Sequence, residues 1–101
     1  MEAVAARITA RAPEARVCCA YLELTRPDLP TAAAELVAAG CQHITIVPMF
    51  LGVGKHARED LPMLADQLTR QHPLVQFVLQ PAIGEDPRVV DLLARVALAE
   101  T

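Results

Sequence analysis

Aromatic side chains are almost missing: 101 residues contain no Trp, one Tyr and two Phe. That removes the stacking platforms on which single-stranded nucleic acids are held. A basic excess is missing too. Nine Lys and Arg face twelve Asp and Glu, for a formal net charge of −3, which argues against nucleic acid as the main partner. No apolar run approaches the ~20 residues of a bilayer span, so no membrane partner is expected. No basic segment followed by an apolar one marks a secretory leader. Cysteine is sparse: Cys18 and Cys19 are adjacent and Cys41 stands alone. This spacing does not suit a zinc site, and an odd count without a leader points to reduced thiols in the cytoplasm, packed as small hydrophobes.

What is present is apolar and periodic. Hydrophobic residues make up 53% of the chain, enough for one small domain over residues 1–101. Val4, Ile8 and Ala12 recur at helical spacing up to Pro13. Residues 16–22 (RVCCAYL) have the length and composition of a strand. Asp28 is placed to cap a helix with Pro30 in its first turn, apolar face Leu29, Ala33, Leu36 and Val37, and Gly40 as the stop. Residues 43–50 (HITIVPMF) are the most strand-like run, with β-branched residues in succession, as in a parallel strand covered on both faces. Leu61, Leu64, Ala65 and Leu68 mark a third helix. Val75, Phe77 and Leu79 alternate as in a half-exposed edge strand. Asp86-Pro87 opens a last helix that would turn Val90, Leu93, Ala94, Ala97 and Leu98 inward. The order α-β-α-β-α-β-α predicts an α/β parallel-sheet sandwich of three strands and four helices. Three strands are few for four helices, and the opening helix has neither a strand nor a visible cap before it.

In open parallel sheets, ligands bind beyond the carboxyl ends of the strands. Two such ends carry candidate chemistry. His56 follows Gly52 and Gly54 on the exit loop of the second strand, just before a helix. An imidazole there can bind a late first-row divalent metal or take up a proton near neutral pH, or it can be a solvated loop side chain. Glu23, at the exit of the first strand, can complete a metal site, accept a proton, or serve a helix dipole. Lys55 and Arg58 flank His56 and can pair with an anionic substrate. Gly52 and Gly54 allow a ligand close to the backbone. The glycine spacing matches neither a dinucleotide fingerprint nor a Walker loop, so no organic cofactor of that kind is expected. Glu59 and Asp60 fit the start of a helix, Glu85 and Asp86 a loop and cap, and His43 and His72 structural or solvated positions.

The run 44–62 (ITIVPMFLGVGKHAREDLP) resembles the signature of the CbiX/SirB family of sirohydrochlorin chelatases: a strand ending in V-P-x-F-L, then G-x-H, then D-[IL]-P. The run 20–29 (AYLELTRPDL) resembles the family's F-L-E-x-x-x-P-x-[IL] segment, and together the likeness covers essentially the whole chain. It implies a class II chelatase-like sandwich that inserts Co²⁺, Ni²⁺ or Fe²⁺ into a sirohydrochlorin-type tetrapyrrole without ATP, for cobalamin or siroheme synthesis. The divalent metal is then substrate, and no organic cofactor is needed. By the same resemblance His56 and Glu23 are the metal-binding and catalytic pair, and small members are homodimers. The chemistry is coherent: a macrocycle loses two pyrrole protons as the metal enters, and an imidazole with a carboxylate can hold the metal and take those protons. The substrate's own carboxylates suit Lys55 and Arg58. The family's first strand and its H-G-S/A-R loop, with a second metal-ligating histidine, have no counterpart here. The expectation is a sequence N-terminally short of a longer enzyme. The alternative is a non-catalytic metal- or tetrapyrrole-binding protein of the same fold.

Overall fold

The computed structural model describes residues 1–22, 26–51 and 55–99, with the side chains of all of these except 55–58. In chain order the elements are α1 (Glu2–Arg11), α2 (Leu29–Ala38), β1 (His43–Ile46), α3 (Lys55–Gln71), β2 (Gln76–Leu79), a 3₁₀ turn (Ile83–Glu85) and α4 (Pro87–Ala97).

Local chemistry accounts for the helix ends. Asp28 Oδ1 accepts from the Thr31 backbone N–H at 2.9 Å and caps α2, with Pro30 tolerated in the first turn. The helix stops where Gly40 adopts φ +96°, a conformation that strains any residue with a Cβ. Gly40 N–H then donates to the Val37 carbonyl and Cys41 N–H to the Leu36 carbonyl, both at 3.0 Å, which pairs carbonyls the helix leaves open. Asp86 caps α4 through the Arg88 N–H at 2.8 Å, and Pro87 occupies the first helical position.

β1 and β2 pair in parallel, His43 with Gln76 through Ile46 with Leu79. The core is the small volume where α2 and α3 meet this pair. Ala32 and Ala33 on α2, Ile44 on β1, Leu61 and Leu68 on α3, and Ala82 are its buried apolar residues. Leu61 and Leu68 lie two turns apart on one α3 face. β2 alternates as expected, with Phe77 and Leu79 half-buried and Gln76 and Val78 exposed.

The chain is α/β with four helices, but its sheet differs from expectation. It has two strands among the described residues, not three. Residues 16–20 form neither helix, turn nor ladder, and the segment's one pairing is an isolated parallel bridge from Tyr21 to Asp28. No described strand lies alongside to pair with it. The last helix also departs: Val90, Leu93, Ala94, Ala97 and Leu98 are all exposed rather than inward. Among the described elements, the 3₁₀ turn is the main one packed against α4. β1 is covered on one face only, with Ile44 buried and Thr45 and Val47 exposed, and Cys18 is exposed rather than buried. The accessible surface is 7711 Å². A chain of 10.9 kDa would scale to roughly 5,600 Å². About a quarter of the surface is thus in excess of a closed domain of this mass.

Candidate functional site

Two loops leave the carboxyl ends of the strand segments, and backbone contacts pin the base of each. After β1 the chain runs through buried Pro48 to Phe50. Ile83 N–H donates to the Pro48 carbonyl and Gly84 N–H to the Phe50 carbonyl, both at 2.9 Å. Gly84 permits this approach, because a Cβ there would drive into the Leu51 backbone carbonyl. The 3₁₀ turn is therefore a strap across the β1 exit, and it is held in turn by the Asp86 cap of α4. Sequence reading singled out Gly52 and Gly54 and passed over Gly84. The available signal was one glycine two residues before the capping Asp86, and a close approach to a residue 33 positions earlier leaves no local trace.

The other loop is closed at its neck. Tyr21 N–H donates to the Pro27 carbonyl at 3.0 Å, beside the Tyr21–Asp28 bridge. The necks of both loops face one space: Tyr21, Leu22, Pro48, Met49 and Phe50 all line a cavity of ≈ 910 Å³. Its other walls come from α1, α2, residues 14–20 and β1. That volume lies in the range of small-molecule and cofactor sites.

Of the expected site residues, Glu23, Gly52 and Gly54 lie outside the described residues, as do the side chains of Lys55, His56 and Arg58. Lys55, His56 and Arg58 fall in the opening turns of α3, directly after the strapped loop. Glu59 and Asp60 follow on the same helix and are exposed. Among the described residues, no three His, Cys, Asp or Glu side chains group to hold a metal ion. His43 is exposed and His72 stacks obliquely on Phe77, with ring centroids 6.1 Å apart, so both are the solvated and structural positions expected.

The electrostatics at the two caps are clear in direction. The Arg88 guanidinium, donating to both Asp86 carboxylate oxygens at 3.1 and 2.7 Å, together with the Arg88 N–H, lowers Asp86 to about 2. Asp28 is lowered as well, chiefly by its hydrogen bond from Thr31. Both acids are thus committed to capping and stand ready as anions, not as proton donors, beside the two loops.

With this geometry, comparison with known proteins is decisive. The CbiX family model matches residues 1–99. The chain belongs to the CbiX family. A sirohydrochlorin cobaltochelatase of Sulfolobus acidocaldarius is 31% identical over 77 residues, covering 76% of this chain and 60% of that protein. A sirohydrochlorin ferrochelatase of Priestia megaterium is 31% identical over 81 residues, covering 80% of this chain and 30% of that protein. This CbiX chain therefore spans 60% of the length of the first relative and less than a third of the second. A CbiX protein of Marinobacter aquaeolei VT8, assigned to cobalamin (vitamin B12) biosynthesis, superposes with a TM-score of 0.76 at 28% identity. The superposition covers 97% of this chain and 82% of that one, so the CbiX chelatase-like fold holds for this chain. None of the described helices is long and apolar enough to cross a membrane.

Proposed function

We propose that this CbiX chain inserts a divalent metal, Co²⁺ first and Ni²⁺ or Fe²⁺ as alternatives, into a sirohydrochlorin-type tetrapyrrole. The observation that supports it best is the convergence of the two pinned loop necks on one cavity, within a chain matched by the CbiX model over residues 1–99. The named relatives are sirohydrochlorin cobalto- and ferrochelatases. In this reading His56 and Glu23 bind the incoming metal and accept the pyrrole protons that it displaces. Lys55 and Arg58 pair with the macrocycle's carboxylates, and Gly52 and Gly54 let it approach the backbone. The metal is a substrate, no organic cofactor takes part, and the protein works as a cytoplasmic homodimer.

The test is an absorbance assay with sirohydrochlorin and Co²⁺. The metallated spectrum is expected to grow faster with the protein than without it. Binding of macrocycle and Co²⁺ with no rate above background would replace this reading with a non-catalytic binding protein. Binding of neither would remove both.

A further inference from the structure

α3 carries a proline where a helix tolerates one least. Pro30 and Pro87 stand in the first turns of α2 and α4, where the backbone N–H groups have no partner within the helix. Pro62 instead lies inside α3. It has no N–H to donate to the Arg58 carbonyl four residues back, and its ring crowds that carbonyl. Nothing in the packing offsets this cost, because Pro62 is itself exposed, and Met63 after it is 57% exposed. A residue that breaks a local rule with no gain in burial points to a functional constraint.

The proline divides α3 into two parts. Behind it, Leu64 and Ala65 are half-buried, Leu68 is buried, and the helix packs on β2 and α2. Ahead of it, Glu59 and Asp60 are exposed, and Lys55, His56 and Arg58 fall on the opening turns that follow the β1 exit. Leu61, directly before the proline, is buried and also lines the cavity. The stretch that carries three expected site residues thus joins the packed part of the helix at Pro62, beside the cavity.

We infer that Pro62 is a positioning residue for metal insertion: the bend it imposes on α3 sets where His56 stands relative to the cavity. This role rests on the chelatase reading above. His56 precedes Pro62 by six residues, about 9 Å along a helix axis. A proline bend of about 20° displaces that end of the helix by about 3 Å. A misplacement of about 1 Å can already cost about a hundredfold in rate. A straightened helix would therefore carry His56 away from the place where the metal must meet the macrocycle, although the fold would gain a hydrogen bond.

Pro62→Ala tests this, with urea unfolding and Co²⁺ insertion into sirohydrochlorin measured on the same preparation. The variant restores a donor to the Arg58 carbonyl, so its urea midpoint is expected to hold or rise. Its insertion rate is expected to fall about tenfold or more. Met63→Ala, at the neighbouring exposed position, leaves the helix hydrogen bonds as they are and is expected to keep both quantities near the parent's. Stability and turnover moving in opposite directions is the signature, because a proline that serves only the fold would lower both or neither. Insertion by Pro62→Ala at the parent's rate would overturn the positioning role. A midpoint that falls together with the rate, or a variant that does not fold, would also overturn it and make Pro62 a structural residue of the helix. Absence of insertion by the parent would instead remove the chelatase reading itself, and this role with it.

Discussion

The two edges of β1 meet opposite fates. On one side β2 pairs with it, α3 packs on β2, and Leu68 falls to 1% exposure. On the other side equally apolar material, including Val4, Ile8, Leu22 and Val47, stays more than a third exposed. α4 repeats the contrast: its Asp86-Pro87 cap is well formed, yet Leu93 is 45% and Val96 66% exposed. Helix and strand formation is a local matter of caps, propensity and period, whereas burial needs a partner. An amphipathic pattern records the capacity to be covered, and the open side of this CbiX chain holds that capacity unused.

The largest effect that can break this contrast is a pair of truncations. Leu68→Ala removes a fully buried side chain, and a loss of about 2–5 kcal/mol is expected in a urea unfolding titration. Leu93→Ala, made on the exposed face of α4, is expected to cost less than about 1 kcal/mol. Equal losses would mean that α4 is covered in solution. Gly84→Ala comes next. Its Cβ meets the Leu51 carbonyl, so the strap must shift, at about 1–3 kcal/mol in the same titration. It should also slow metal insertion, because the strap fixes the β1 exit from which the loop to His56 departs. Unfolding that matches the parent, with an unaltered rate, would show the strap to be incidental.

Smaller effects sharpen the account of the caps. Asp28→Ala deletes the acceptor of the Thr31 N–H and is expected to lower the urea midpoint modestly, with Asp28→Asn restoring most of the loss. The pH dependence at Asp86 has a definite sign. Its folded value is about 2 against an ordinary 3.8, so its contribution is complete above about pH 4 and is lost as pH falls through 2. Helicity at α4 followed from pH 5 to 2 should show this loss, and Asp86→Asn should flatten it. A parent profile as flat as that of the variant would contradict the Arg88 pairing.

Much of the fold was legible because its signals are short-range. Asp28 with Pro30, Gly40, and Asp86 with Pro87 each act within a few residues, and each performs as its chemistry demands. The alternation at Phe77 and Leu79 likewise reported a strand covered on one side. The third strand failed at residues 16–20 because a strand is completed by neighbours, and none among the described residues adjoins it. The inward face expected of α4 failed for the same reason. Gly84 was missed because its constraint comes from Leu51, far away in sequence. The proposal of His56 and Glu23 as site residues rests on the G-x-H and L-E motifs alone, since Glu23 and the His56 side chain lie outside the described residues. Their spacing names a chemistry, while the structure contributes the pinned loop necks and the cavity that they share.

Metal insertion by the parent chain and by His56→Ala, compared at equal concentration with sirohydrochlorin and Co²⁺, tests the central claim most directly. The account predicts insertion above the protein-free rate for the parent and a fall of about a hundredfold or more, toward that background, for the variant. Insertion by His56→Ala at the parent's rate would contradict it.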